Sequence, residues 1–303
     1  MTTLRLALDW TPNVNHIGFL ISKTLGYYEA AGIKLEILNP QDDNYALTPG
    51  KKLELDKTDF AIAPTETVIS LNNKRNKVEA VAVYTILQED LSRIASLRSS
   101  KIDSPEQLDG NIYASYNARY EDHIVREMVK NAGGKGDFKI INPEKLGIWN
   151  TLLQGKADAT WIFDNWEGVE AETQNIELKK FKLEDYNIPY GYSPIVLTTR
   201  KKLKANQHLY SKFIEATKKG FLYTKENLQE SKEILQNHVT SHDLENIDLI
   251  KSIKWTLPYF GDELNCGKMN SYKVKTFLEW LVKHKLEQEN ILDQKLFTNE
   301  LFN

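Results

Sequence analysis

Ala159-Thr160-Trp161-Ile162-Phe163-Asp164-Asn165-Trp166-Glu167-Gly168 is the stretch that decides the fold. Its apolar run, Ala159 to Phe163, reads as a buried strand, and an acidic, aromatic turn then opens a helix. Strand, turn and helix in that order belong to an α/β sheet of mostly parallel strands, which binds ligands at the carboxyl ends of its strands. Leu8-Asp9-Trp10-Thr11-Pro12-Asn13-Val14-Asn15-His16 repeats the arrangement after the first strand. Two mouths of this kind predict a flat, hydrogen-bonding small molecule held against aromatic faces.

The rest of the chain supplies the sheet partners. Leu4 to Leu8, Lys34 to Leu38, Phe60 to Ala63 and Val78 to Thr85 read as strands of a first lobe. A helix is expected from an Asn15 cap to Ala31, stopped by Gly32, and a short one over Glu66 to Leu71 capped by Thr65. From Leu91 a second set follows, with strands at Arg93–Arg98, Asn111–Tyr116, Phe138–Ile141 and Ala159–Phe163. Its helices carry Val125, Met128, Val129 and Ala132 at helical spacing, and Lys145 to Gln154. Ile195 to Arg200 is the last strand. Beyond it the chain is helical, with one stripe at Phe213, Ala216, Thr217, Gly220 and Phe221 and another at Val274, Phe277, Leu278, Leu281 and Val282. A strandless tail cannot build an α/β domain, so it is expected to return to the first. The expected division is 1–90 with 196–303 as a discontinuous lobe, and 91–195 as an inserted one.

Composition bounds the function. In 303 residues there are 39 Lys and Arg against 42 Asp and Glu, a net charge of −3 without long basic runs, so a nucleic-acid partner is not expected. No apolar run is long enough to insert into a membrane. Cys266 is the only cysteine, which rules out an intrachain disulfide and permits a reducing compartment. With no leader-like N-terminus, the expectation is a cytoplasmic protein, or a periplasmic one whose leader has been removed. A transporter partner is correspondingly doubtful. No cofactor or metal site is expected: the phosphate-cradling and dinucleotide glycine motifs and the nucleophile elbow are absent, and His238 and His242 lack an evident third ligand.

Trp10 is placed to stack on a planar ligand, with Asn13 and His16 as polar neighbours at the following helix start. Trp161, Phe163 and Trp166 cannot all point one way; one is core, and Trp166 has the better claim to the ligand. Asp164 and Glu167 can accept from an amine or ring N–H. Capping is the more frequent role for Asp164, which leaves Glu167 as the preferred anchor. Thr65 and Glu66 stand at a strand-to-helix turn. So do Tyr116, Asn117 and Tyr120, where Glu121 and Asp122 in the first turn weaken anion binding and favour a neutral or cationic group.

With these residues in view, the chain resembles the solute-binding superfamily that holds bacterial thiamine-pyrimidine-precursor and sulfonate-binding proteins and the fungal enzyme making the thiamine pyrimidine. The likeness rests on Leu8 to Asn13 with His16, Gly26-Tyr27-Tyr28 through Gly32-Ile33, Asp59 to Ile62, Ala157 to Gly168, and Phe297 to Leu301. It implies a two-lobed periplasmic-binding-protein type II fold, with a hinge and a central cleft around one small ligand. The fungal enzyme carries a lysine and a histidine after its third strand and a cysteine-rich iron motif. Here that stretch reads Ile62-Ala63-Pro64-Thr65-Glu66-Thr67, and no cysteine lies near Gly191 to Pro194. The expectation is therefore a binder without catalysis. A divergent pyrimidine synthase, or a hydrolase with Glu66, Glu167 or Asp164 as base, is the alternative.

Overall fold

The structure is a computed structural model that describes residues 1–143 and 148–302, those at 148–150 by backbone alone. Residues 145–147 of the expected helix Lys145–Gln154 lie outside the described residues; the helix Ile148–Leu153 is the part described. Ten strands follow in chain order: β1 (Thr2–Ala7), β2 (Ile33–Leu38), β3 (Phe60–Ala63), β4 (Ala80–Thr85), β5 (Ser92–Leu97), β6 (Ile112–Ala114), β7 (Lys139–Ile141), β8 (Ala159–Phe163), β9 (Leu178–Phe181) and β10 (Ile195–Thr199). They form two five-stranded sheets, ordered β2-β1-β3-β10-β4 and β7-β6-β8-β5-β9.

The sheets share one plan. β1 runs parallel to β2 and β3, and β6 runs parallel to β7 and β8. In each sheet a single strand is reversed between two neighbours: β10 between β3 and β4, and β5 between β8 and β9. Each reversed strand is the first after the chain enters its unit, so no crossover helix obliges it to run parallel. β9, Leu178-Lys179-Lys180-Phe181, went unread in the sequence because its lysines break the apolar run; it lies at the edge of its sheet, where a charged side chain stays hydrated.

Contacts divide the chain into two compact units. One holds Met1–Asp90, Gly191–Val274 and Asp293–Asn303; the other holds Leu91–Tyr190 and Lys275–Leu292. Lys275–Leu292, which the sequence reading placed on the first lobe, packs in the second. Phe277 meets the edges of the Tyr120 and Tyr190 rings, and Glu287 takes Arg119 in an ion pair at 2.5 Å.

The core of the first unit is aromatic. Phe60 from β3 stacks on Phe213 at 4.2 Å, and Phe213 stacks on Tyr28 at 5.4 Å. These rings come from the helix Arg200–Glu226 and from the first helical region, which differs from the single helix expected over Asn15 to Ala31. It is a short 3₁₀ turn, Val14–His16, then helices Ile17–Thr24 and Tyr27–Ala30. Gly26, at φ +74°, ends the first helix in the left-handed region and re-aims the chain, so the break falls six residues before Gly32. Asn13, not Asn15, caps the entry, its Oδ1 accepting from the Asn15 N–H at 2.9 Å.

Helix Ile17–Thr24 and helix Arg200–Glu226 meet at two glycines. A Cβ on Gly220 would fall 2.0 Å from the Gly18 carbonyl oxygen, and one on Gly18 would fall 2.2 Å from the Phe221 ring. Ser22 Oγ donates to the Ala216 carbonyl across the same contact, at 2.7 Å. Cys266 is buried near the Tyr84 hydroxyl (3.2 Å), and burial pushes its thiol up to about 11, which leaves little thiolate at neutral pH. Among the described residues no helix is long and apolar enough to cross a membrane.

Candidate functional site

In the first unit the end of β1 carries Asp9 and Trp10. His16 is 1% exposed and fixed at both nitrogens. The Asn13 backbone N–H donates to its Nδ1 at 3.1 Å, so that nitrogen is an acceptor and the ring proton sits on Nε2. Nε2 then donates to Asp9 Oδ1 at 2.8 Å. His16 thus orients Asp9, and Asn13 is consumed in capping and in a hydrogen bond to the Thr11 carbonyl. Trp10 keeps part of its surface open and receives the edge of Tyr45, centroids 6.5 Å apart at 66°. Tyr45 went unnoticed in the sequence. It is one of two successive residues at positive φ, Asn44 and Tyr45, and only that turn brings it to Trp10.

At the end of β3, Thr65 opens the helix Thr65–Asn72 as its first residue, with Pro64 in the cap position. The expected Thr65 cap is absent because its hydroxyl and its N–H both donate to the Tyr192 carbonyl, at 2.5 and 3.3 Å. Glu66 is buried, 4% exposed, one residue further on. Tyr192 in turn accepts from the Asn270 N–H and lies under the Lys273 ammonium at 4.9 Å. Burial raises the Tyr192 phenol above its ordinary range. The Thr65 turn is therefore pinned by the segment after the second unit, a link no local pattern announces.

In the second unit the β8 turn is largely occupied with its own structure. Asp164, 7% exposed, pairs with Lys180 of β9 at 2.6 Å and Arg93 of β5 at 3.6 Å. Glu167 Oε2 accepts from the Phe163 N–H at 2.9 Å, so the preferred anchor also closes its own turn. Trp161 packs against the edge of Tyr190 and is 8% exposed. Trp166, favoured in the sequence for the ligand, is the more buried indole at 3%. Trp10 is left as the candidate indole with open surface.

The loop after β6 is organised by Glu121, at the head of the helix Glu121–Asn131. Its Oε1 accepts from the Tyr113 hydroxyl at 2.8 Å and the Tyr116 N–H at 3.1 Å, and its Oε2 from the Ala118 N–H at 3.1 Å. Asn117 adopts φ +60° between those two amides, its own N–H donating to Ser115 Oγ. Tyr116 is 45% exposed. Desolvation first, then the Glu167 and Glu121 carboxylates, hold its phenol well above the usual range. Tyr120 is buried and donates to Glu287 at 2.5 Å. Arg119, which could have offset the first-turn acids, is committed to Glu287 instead.

Two five-stranded sheets, each with one reversed strand, and ligand-type side chains at strand ends define a periplasmic-binding-protein type II fold. The alkanesulfonate-binding protein of Xanthomonas axonopodis pv. citri, solved with MOPS bound, superimposes with a TM-score of 0.72 over 98% of each chain at 12% identity. Residues 13–231 match the model of the NMT1/THI5-like family, and the chain belongs to that family. It is 23% identical to the formylaminopyrimidine-binding protein of Halalkalibacterium halodurans over 84% of this chain and 75% of that one. It is likewise 23% identical to the 4-amino-5-hydroxymethyl-2-methylpyrimidine phosphate synthase of Legionella pneumophila, over 76% of this chain and 72% of that one.

Proposed function

We propose that this chain binds an amino-substituted pyrimidine of the thiamine-precursor type and does not transform it. Membership of the NMT1/THI5-like family carries the reading, with a formylaminopyrimidine-binding relative aligned over most of the chain. The chemistry agrees. In the first unit Trp10 offers an open aromatic face for a flat ring beside the turn of the buried Glu66, and in the second unit Tyr116 and Glu167 offer polar groups suited to an amine or ring nitrogen.

Calorimetry on protein stripped of co-purified ligand by unfolding and refolding tests it. Formylaminopyrimidine or 4-amino-5-hydroxymethyl-2-methylpyrimidine should bind with a Kd near or below micromolar, about −8 kcal/mol. Absence of binding by every aminopyrimidine tried overturns the assignment. The synthase alternative draws on the Legionella relative, but the Ile62 to Thr67 stretch offers neither lysine nor histidine.

The compartment follows the same reading. A cytoplasmic binder should fractionate with cytoplasmic markers. Recovery in osmotic shock fluid would put it outside the inner membrane and restore a transporter as the natural partner.

A further inference from the structure

Backbone amides at the start of a helix, pointing outward, are what such turns use to hold phosphate or sulfonate. In the β6 turn two of them are already occupied from within. The Tyr116 and Ala118 N–H groups both donate to the Glu121 carboxylate, which is 3% exposed and takes the Tyr113 hydroxyl as a third donor. Three donors converging on two oxygens match an ionised carboxylate, while burial and Asp122 work against the charge and raise its pKa. The loop is shaped around this arrangement, since Asn117 must take the left-handed conformation for the amides on either side of it to face one acceptor. An incoming anion would find its donors taken and meet the Glu121 carboxylate, with Asp122 beside it in the first turn of the helix.

We propose that Glu121 is a specificity residue: a built-in anion that closes the β6 turn to phosphate and sulfonate, restricting the protein to uncharged or cationic pyrimidines. The inference rests on the pyrimidine-binding reading and adds the class of pyrimidine to it. Glu121 acts by exclusion, and the sign of its effect is therefore unusual. Its loss should improve binding of the wrong ligand.

The probes are 4-amino-5-hydroxymethyl-2-methylpyrimidine and its monophosphate, titrated calorimetrically into the stripped wild-type chain and into Glu121→Gln and Glu121→Ala. Wild type should favour the alcohol by at least about tenfold, as expected for one uncompensated charge near a partly hydrated site. In both variants the ratio should shrink by about tenfold, chiefly through tighter phosphate binding. A residue that only shaped the loop would weaken both ligands alike and leave the ratio standing. Tight alcohol binding with equal phosphate binding by wild type overturns the exclusion while leaving the pyrimidine reading intact, and needs no variant to fold. An unchanged ratio in variants whose melting shows them folded removes Glu121 from the role. If wild type binds neither probe, nor any other aminopyrimidine, the underlying function falls and this inference with it.

Discussion

Gly220→Ala lowers the melting temperature by about 5 °C, the expected result of a net destabilisation of about 2 kcal/mol in a chain of this size. The added Cβ falls 2.0 Å from the Gly18 carbonyl oxygen and 2.2 Å from Ser22 Oγ. Backbone cannot rotate away as a side chain can. The helices Ile17–Thr24 and Arg200–Glu226 must separate, which loosens Phe19 against Phe221, at 5.3 Å, and the hydrogen bond from Ser22 to Ala216. Helix propensity pulls the other way, since alanine is better than glycine by about 1 kcal/mol in a helix interior. The clash exceeds that gain, so the net sign is destabilising. Differential scanning calorimetry reads it, with the two units followed as separate transitions if they melt separately. A variant as stable as wild type would show that the two helices do not pack on these glycines.

Trp10→Ala weakens aminopyrimidine binding by about 2–3 kcal/mol, roughly a hundredfold in Kd, with little change in melting. The indole keeps open surface while Thr11, Pro12 and Asn13 after it are buried, so truncation removes ligand contact more than core. Trp10→Phe should keep part of the stacking and fall between the two. Tyr45, packed edge-on to the indole, holds the ring in position, so the loss in Trp10→Ala includes that preorganised geometry. Calorimetric Kd values for the three proteins check the order. A loss below threefold in a folded Trp10→Ala would take the ligand off this face. The two predictions are independent, since one concerns helix packing in the first unit and the other a partly exposed turn.

Strand content was legible where burial is two-sided. Phe60-Ala61-Ile62-Ala63 and Ala159 to Phe163 are apolar throughout, and both strands have the bounds that their residues announce. β9 was not legible, because an edge strand tolerates Lys179 and Lys180 and shows no apolar run. The stripe Phe213, Ala216, Thr217, Gly220 and Phe221 marked a packed face correctly, but its glycine gave no hint of a carbonyl 2.0 Å from where a Cβ would lie.

The candidate ligand positions divide in the same way. The strand-end turns holding Trp10, Thr65, Tyr116 and Trp166 follow from α/β patterning, since a strand followed by a helix must turn at its carboxyl end. What each side chain does there depends on distant chain. Asp164 meets Lys180 and Arg93, Thr65 meets the Tyr192 carbonyl, and Tyr45 reaches Trp10 through two left-handed residues.

The sequence by itself determined the alternation of strand and helix, the family and the places where a ligand contact is possible. These depend on periodicity and on short motifs, which are local properties of the chain. Only the tertiary structure decided which polar groups are already satisfied: His16 holding Asp9, Asp164 neutralised by two cations, and Glu121 filling the amides of its own loop. A buried charge or hydrogen-bonding group takes its role from the partners that folding brings to it, and those partners lie far away in the chain, 127 residues for Thr65 and Tyr192 and 194 for Ser22 and Ala216.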